Sequence, residues 1–518
     1  MEQRVGEPDW QRARDAALAL LAPWQASEPG GTILGFDTGD ARLSLSAGLA
    51  SLEHGIAWGP DTRTRYASIT KQFLCTAVLR AGLPLEAPLG SLVPGLQAVG
   101  AVPLARALGM TGGLPDLGET LSTLGLPTTS QYGRDALFAL AAALPALNFR
   151  PGTEISYTNT GYRLAETALP APLLESLAQH LPGLDLHYPE DETEPVPGLC
   201  TGYWLSEGHD GERGWRRGRY GLHYSASGGL AGSATALMHW GQRLLGGRDG
   251  AEGLLPLLAR PARLEDGTEV GYGLGLSRSR LRTPGGVLEL WGHGGSLPGY
   301  RNYLLFAPSL GAGVVVLSNR DEAEAYPMAL RVMAALAGAE MPVPATLPPG
   351  LYAETGGPFW AESTGGTLFA LGSGEALFRG DADGTPAPGG EWAVSLASHQ
   401  PIRLRATAEG ALEGSLGGRR CRLERVSGDA PLDPALHGHW RAELAGLRAA
   451  LRVDVDGLLH PPGQPAPAPV RLRSLGSGRA LAETGHGPTK RRTALWLQAP
   501  GELCLVGQRS RTVVFHPA

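Results

Sequence analysis

Lysine is almost missing from this 518-residue chain. Of its 44 lysine and arginine residues, only Lys71 and Lys490 are lysines, and Lys71 stands three residues after Ser68 in the stretch ASITKQF. Arginine stays protonated in proteins, whereas a lysine can be tuned to lose its proton. The lysine at this position therefore indicates a proton-transfer role that arginine cannot take over.

Other scarcities exclude whole classes of function. The four cysteines, Cys75, Cys200, Cys421 and Cys504, form no Cys-x-x-Cys pair, which argues against zinc and favours free buried thiols. A net charge of -6 offers no basic surface for nucleic acid. The uncharged stretch 136–149 is too short to cross a membrane, which takes about 20 apolar residues, and the charged N-terminus is unlike a secretory signal. We expect a cytoplasmic protein that needs no metal or cofactor and binds neither nucleic acid nor membrane.

The first two thirds of the chain mix helical and strand patterns. Apolar spacing predicts helices over 10–24, 68–80, 234–245 and 322–336, and strands over 32–36, 41–49, 288–291, 300–306 and 313–317. The stretch GYGLGL, residues 271–276, has glycine at period two, which favours a strand packed closely against another element. These elements predict an α/β or α+β domain of roughly 335 residues.

The last third is different, because helical periodicity nearly disappears after the proline-rich stretch 341–350. Short strand-like stretches, such as 367–371 and 449–455, alternate with turn residues. Two similar openings, at 350–354 and 438–443, suggest a duplicated β-unit. We therefore predict three domains, at residues 1–340, 346–432 and 433–518, of which the last two are antiparallel β-barrels.

A Ser-x-x-Lys pair at the start of a helix places both side chains on one face, one turn apart. A deprotonated Lys71 could take the proton of Ser68, and the positive end of the helix dipole would favour the negative charge that develops nearby. Ser68 is thus a candidate nucleophile and Lys71 its base.

Three motifs in this order resemble the signature of the serine β-lactamase and penicillin-binding-protein superfamily, in its class C branch. They are SITK at Ser68, YTN at Tyr157 and HGG at His293. Flanking stretches agree with the habits of that superfamily, including 108–116 (LGMTGGLPD), 227–232 (SGGLAG) and 272–275 (YGLG). The resemblance implies a β-lactamase-like catalytic domain that works without a metal.

The resemblance also implies a role for each motif residue. Tyr157 would share the proton transfer with Lys71, and Asn159 would hold the amide of the substrate. His293 stands where β-lactamases usually have lysine, and an imidazole can donate or accept a proton near neutrality.

Backbone groups complete the implied site. Gly294 and Gly295 would let the substrate lie along an edge strand, and the N–H groups of Ser68 and Ser296 would form the oxyanion hole.

The β-rich tail is similar to that of the bacterial D-aminopeptidases, in which two β-barrels follow the catalytic domain. That likeness implies release of N-terminal D-amino acids, D-alanine-like, from small peptides, amino-acid amides and esters, and it implies a homodimer. A loop from the third domain would reach the active site; its counterpart here is 483–492, with Glu483 and His486 as candidate substrate-binding residues. This loop has no aspartate, and its cations Lys490, Arg491 and Arg492 would favour a carboxylate if they faced the substrate.

Two alternatives stay open at this point. A D-amino-acid carboxypeptidase, a β-lactamase-like hydrolase or an esterase would share every catalytic motif. A non-catalytic penicillin-binding-type sensor could keep the fold, but it would have little reason to retain Ser68, Lys71, Tyr157 and His293 together.

Overall fold

A computed structural model describes residues 7–207, 212–381, 384–397, 399–463, 466–485 and 490–518. Its contacts divide the chain into two compact units. The first unit comprises Met1–Leu85, Ala165–Pro261 and Gly271–Met341, and the second comprises Glu86–Leu164, Ala262–Val270 and Pro342–Ala518. Among the described residues, no helix is long and apolar enough to cross a bilayer.

The helices lie in the first two thirds of the chain, as the apolar spacing predicts. They are α1 (Trp10–Leu21), α2 (Thr70–Arg80), α3 (Leu89–Leu92), α4 (Leu104–Leu108), α5 (Leu117–Thr123), α6 (Arg134–Ala142), α7 (Thr160–Thr167), α8 (Leu173–His180), α9 (Ala234–Gly246), α10 (Leu254–Leu258) and α11 (Ala325–Ala337). Short 3₁₀ helices cover Ala67–Ile69, Ala98–Ala101, Pro308–Leu310 and Pro434–Leu436. The predicted end of α9 is confirmed, because Gly247 caps it in the left-handed conformation.

The first unit is built on a six-stranded antiparallel sheet in the order β2-β1-β12-β11-β10-β9. The strands of this unit are β1 (Gly31–Asp37), β2 (Ala41–Ala47), β3 (Leu49–Ser51), β4 (Ile56–Ala57), β5 (Thr64–Arg65), β6 (Tyr203–Glu207), β7 (Arg213–Arg217), β8 (Ala231–Gly232), β9 (Ser277–Thr283), β10 (Gly286–Leu297), β11 (Tyr300–Ala307) and β12 (Ala312–Ser318). In the middle of the sheet β12 is buried at every position, which explains its uninterrupted apolar sequence AGVVVLS. Helices α9 and α11 pack on this strand, and α1 packs on α11.

The predicted strand at 271–276 is wrong. This segment is irregular and has a single bridge, between Tyr272 and Ser277. Gly275 adopts a φ of +74°, which a strand does not contain. The expected close packing is confirmed, since a Cβ on Gly275 would lie 2.7 Å from the backbone nitrogen of Gln72 in α2.

In the second unit, the first β-region closes into an eight-stranded antiparallel barrel. Its strands are β13 (Gly350–Ala353), β14 (Trp360–Ser363), β15 (Thr367–Ala370), β16 (Ser373–Gly380), β17 (Trp392–Ser395), β18 (Ile402–Ala406), β19 (Leu412–Leu416) and β20 (Arg419–Val426). Strand β13 pairs with both β14 and β20, which completes the ring.

The last β-region is a nine-stranded antiparallel sheet that nearly closes on itself. Its strands are β21 (Gly438–Leu444), β22 (Leu447–Val453), β23 (Leu458–His460), β24 (Val470–Arg471), β25 (Arg473–Gly476), β26 (Arg479–Thr484), β27 (Arg491–Ala499), β28 (Glu502–Val506) and β29 (Val514–Pro517). The two similar openings in the sequence therefore begin β13 and β21, each the first strand of its sheet. The expected architecture, an α/β domain followed by two antiparallel β-regions, is confirmed.

The second unit has apolar clusters that cross from one element to another. Leu475 and Val506 of the last sheet belong to the same buried cluster as barrel residues such as Trp360. Leu124, which follows α5, is buried among residues of the last sheet, including Phe515. The end of α5 is thus packed against the last sheet.

Candidate active site

Ser68 lies in the 3₁₀ turn that leads into α2. The residue before it, Ala67, has a φ of +50°, a left-handed conformation that is uncommon and costly for a residue with a Cβ. Such strain is typical of functional turns. The Ser68 residue that follows is half-buried, between buried neighbours on both sides.

Lys71 is fully buried, one turn further along the same helix. Its Nζ donates hydrogen bonds to Ser68 Oγ at 3.0 Å and to the carbonyl of Ser227 at 2.6 Å. The nucleophile and base predicted from the Ser-x-x-Lys spacing are therefore in hydrogen-bond contact, the geometry that a proton transfer between them needs.

The carbonyl of Ser227 was not predicted as a site group, although the stretch SGGLAG that contains it was noted. The loop around it is tied to the nucleophile's turn by two hydrogen bonds, from the N–H of Tyr66 to the carbonyl of Leu230 and from the N–H of Leu230 to Thr70 Oγ1. A carbonyl that accepts a hydrogen bond from Nζ fixes where this atom lies, and so aims it at Ser68.

Strand β10 passes directly beside this turn at Gly295. A Cβ at that position would lie 1.9 Å from the carbonyl oxygen of Tyr66, a contact that no side chain tolerates. The strand β9 pairs with β10 only as far as Gly292, so that residues 293–297 pair with β11 alone among the described strands. Gly295 therefore allows the open half of β10, including Ser296, to lie against the nucleophile's turn.

His293 is 5 % exposed and bonded through both ring nitrogens. Its Nδ1 lies 2.6 Å from the carbonyl oxygen of Gly294, and its Nε2 lies 2.9 Å from the hydroxyl of Tyr272. Tyr272 was noted as part of the YGLG stretch without a role of its own. These contacts suit a side chain that orients the strand.

Tyr157 and Asn159 belong to the second unit. The Tyr157 ring is 7 % exposed and lies edge-on to His399, with 5.1 Å between ring centroids. The backbone N–H of Asn159 donates to Asp116 Oδ2 at 2.9 Å, and the other oxygen of Asp116 accepts from the N–H of Glu119. Asp116, which was not predicted, thus caps α5 and holds the Tyr-Thr-Asn segment.

A segment between β28 and β29 is bonded to the same region. The guanidinium of Arg509 lies over the Tyr157 ring, 4.7 Å from its centroid. The carbonyl of Arg509 accepts hydrogen bonds from the N–H of Asp116 and from the Asn148 side chain, both at 2.9 Å. Arg511 pairs with Glu154 at 3.1 Å. We name residues 507–511 the C-terminal clasp.

Glu119 supports the C-terminal clasp from the other side. Its carboxylate accepts the backbone N–H groups of Gln508 and Arg509. Burial raises the pKa of this carboxyl, while the cations of Arg491 and Arg509 oppose the shift. No pattern in the sequence predicts these contacts, because the partners are about 390 residues apart.

The predicted substrate-binding loop is described in part. Glu483 is exposed and pairs with Lys490 at 2.8 Å and with Arg492 at 2.9 Å. The hydrogen bond from Lys490 is the main cause that lowers the pKa of this carboxyl. His486 lies outside the described residues. The substrate-binding roles of both residues stay predictions.

Comparison with known proteins places the chain in a family. The family model described as Beta-lactamase matches residues 11–338, which is more than half of the chain. The protein therefore belongs to the β-lactamase family, as the three motifs predict.

Curated relatives of this chain include two D-aminopeptidases. The chain is similar to a D-aminopeptidase of Gluconobacter oxydans, with 28% identity over 332 residues, and to a D-aminopeptidase of Brucella canis, with 29% identity over 367 residues. The matches cover 62% of this chain and 61% of the Gluconobacter protein, and 68% of this chain and 69% of the Brucella protein. The chain thus spans about three fifths of the length of the first of these relatives.

Solved structures agree on the fold. An octameric penicillin-binding protein homologue from Pyrococcus abyssi has a TM-score of 0.54 and 20% identity, over 80% of this chain and 99% of its own. A D-amino acid amidase from Ochrobactrum anthropi SV3 has a TM-score of 0.51 and 18% identity, over 63% of this chain and 98% of its own. At these identities the likeness is one of fold.

Proposed function

We propose that this protein is a serine aminopeptidase that removes N-terminal D-amino acids, D-alanine-like, from small peptides, amides and esters. The observation that carries the proposal is the 3.0 Å hydrogen bond from Lys71 Nζ to Ser68 Oγ inside the family-matched region. The D-aminopeptidase names of the curated relatives support the substrate class.

The chemistry follows from the contacts of Ser68. With Lys71 unprotonated, Nζ takes the hydroxyl proton as Oγ attacks the carbonyl carbon of the substrate. The oxyanion is held by the N–H groups of Ser68 and Ser296, and its collapse breaks the bond to the leaving amine, which takes the proton from Nζ. A water then attacks the acyl-serine ester, and the free D-amino acid leaves as Ser68 recovers its proton.

Two further motif residues keep their predicted roles in this proposal, and a third takes a different one. We propose that Tyr157 shares the proton transfer and that Asn159 holds the substrate amide. For His293 we propose an orienting role instead of direct proton transfer, because its two ring nitrogens bond to Gly294 and Tyr272.

A second function is favoured by the charges near Tyr157. Glu483, the acid expected to hold a free amine, is already paired with two cations, whereas the cation of Arg509 lies on the Tyr157 ring. A cation beside the substrate favours a carboxylate over an ammonium. The alternative is therefore a D-amino-acid carboxypeptidase with the same acyl-enzyme chemistry.

A substrate panel separates these functions. We would measure hydrolysis of D-alanine p-nitroanilide, its L-enantiomer, its N-acetylated form, an N-acylated D-alanyl-D-alanine and a chromogenic cephalosporin. Turnover of the free-amine D-compound, with the L-enantiomer ignored, is expected of the aminopeptidase. Turnover confined to N-blocked substrates would establish the D-amino-acid carboxypeptidase. No turnover, together with no covalent labelling of Ser68, would indicate the non-catalytic penicillin-binding-type sensor.

Three properties stay predictions beside this proposal: a homodimer, a cytoplasmic location and the three-domain division at residues 1–340, 346–432 and 433–518. The first is tested by sedimentation equilibrium of the full chain. A single species at the monomer mass of 54.2 kDa would contradict it.

A further inference from the structure

A buried tyrosine joins two parts of the first unit that the motifs treat separately. Tyr272 is fully buried, and its hydroxyl lies 2.9 Å from Nε2 of His293. The two rings meet edge to face, at 83° with 5.7 Å between centroids. This geometry combines a hydrogen bond with ring packing, and both fix the orientation of the imidazole.

The second contact of the imidazole identifies its tautomer. Nδ1 of His293 lies 2.6 Å from the carbonyl oxygen of Gly294, and a carbonyl can only accept a hydrogen bond. The proton is therefore on Nδ1. In the neutral ring Nε2 is then an acceptor, and the hydroxyl of Tyr272 is its donor.

Tyr272 is itself held in place by its neighbours in the GYGLGL segment. Leu274 donates its N–H to the carbonyl of Leu258 at 2.8 Å, and the N–H of Gly273 donates to the carbonyl of Leu276 at 2.8 Å. Gly275 touches the backbone of Lys71, since a Cβ there would lie 2.8 Å from the carbonyl carbon of that residue. The hydroxyl of Tyr272 is thus fixed relative to the helix of the catalytic base.

The strand that carries His293 also touches the turn that leads to Ser68. Gly295, two residues along β10, lies against the carbonyl of Tyr66 without room for a Cβ. A change in the position of His293 would move this part of the strand, and with it the N–H of Ser296.

We propose that Tyr272 is a positioning residue. Its hydroxyl holds His293 as the Nδ1–H tautomer, and so holds the strand segment 293–296 against the turn of Ser68. The proposal deepens the proposed function and rests on it for the part that concerns turnover, while its structural part concerns His293 alone.

The test removes the hydroxyl and keeps the ring. In Tyr272→Phe we expect kcat to fall about tenfold with KM nearly unchanged, because a lost buried hydrogen bond displaces the strand without removing a substrate contact. In Tyr272→Phe labelled with ¹⁵N-histidine, we expect the Nε2 signal of His293 to shift from its position in the wild type. This signal is assigned by its absence from His293→Gln. The matched control is Tyr352→Phe, which removes a buried tyrosine's 2.9 Å bond to the carbonyl of Pro348 in the barrel.

The readouts separate the two possible failures. Wild-type kcat and an unchanged His293 signal in Tyr272→Phe would overturn the positioning role. A wild-type enzyme that ignores D-amino substrates would overturn the proposed function, while the nitrogen signal would still decide the role of Tyr272. In a double variant with His293→Gln, we expect no further loss of kcat from Tyr272→Phe. A second tenfold loss of kcat would contradict the positioning role.

Discussion

The two regions that carry the catalytic motifs hold their residues by different means. Ser68 and Lys71 lie one turn apart on one helix, and their contact follows from local geometry. Tyr157 is held by groups far along the chain, His399 and the C-terminal clasp of residues 507–511. A local motif can therefore be recognised from spacing alone, whereas the second motif depends on a fold that must be complete to its last strands.

The largest effect is expected at the local motif. Lys71→Arg should lower kcat about a thousandfold or more, because a guanidinium cannot accept the proton of Ser68. The matched control is Lys490→Arg, which changes the other lysine at an exposed position. Circular dichroism should show that both variants are folded. Turnover near the wild-type rate in Lys71→Arg would refute the assignment of the base.

A smaller effect is expected from one added methyl group beside the nucleophile. Gly295→Ala should lower kcat about a hundredfold, because its Cβ would collide with the carbonyl of Tyr66 and push β10 away. Gly59→Ala is the control, since nothing lies within 4 Å of a Cβ at that site. Equal kinetics of the two variants would mean that the close approach at Gly295 has no catalytic importance.

The distant contacts of Tyr157 can be weakened through the ion pair of the C-terminal clasp. The side chains of Arg511 and Glu154 are 9% and 12% exposed. Breaking such a pair in Arg511→Met should lower the free energy of unfolding by about 3 kcal/mol, because Glu154 would be left buried and unpaired. Urea titration measures this change.

Recovery of stability in a double variant is the internal control of that experiment. The double variant Glu154→Gln with Arg511→Met should regain much of the lost stability, because no unpaired charge remains. A single variant as stable as the wild type would show that the C-terminal clasp does not anchor the Tyr157 segment.

The smallest effect is expected at Glu483. Its carboxylate is exposed and shared by Lys490 and Arg492, and surface pairs of this kind contribute little. Glu483→Gln should therefore change the KM for D-alanine p-nitroanilide by less than about twofold. A large rise in KM for the free amine, without a change for N-acetylated substrates, would instead identify Glu483 as the amine ligand.

Local sequence patterns predict much of this structure. The helix of Ser68 and Lys71, the strand β12 and the capped end of α9 at Gly247 follow from periodicity and turn chemistry. The stretch GYGLGL misled because its glycines serve different purposes: Gly275 supplies a positive φ, and Gly273 approaches the carbonyl of Leu258. Period two was a coincidence of packing and not a strand.

The parts that the sequence does not predict are pairings across long distances. Arg509 and Tyr157 meet only because β28 and β29 place the C-terminal clasp on the Tyr-Thr-Asn segment. The hydrogen bond between Tyr272 and His293 joins two segments, and neither sequence motif predicts contact with the other. Such contacts depend on the register of whole sheets, which no local propensity specifies.

In the proposed mechanism, Ser68 becomes acylated by a D-amino acid. The most direct test is to quench the enzyme during turnover of a D-alanine ester and to search by mass spectrometry for a D-alanyl adduct. We expect an adduct on the peptide that contains Ser68, and none in Ser68→Ala. Hydrolysis that continues without an adduct, or at an undiminished rate in Ser68→Ala, would contradict this mechanism.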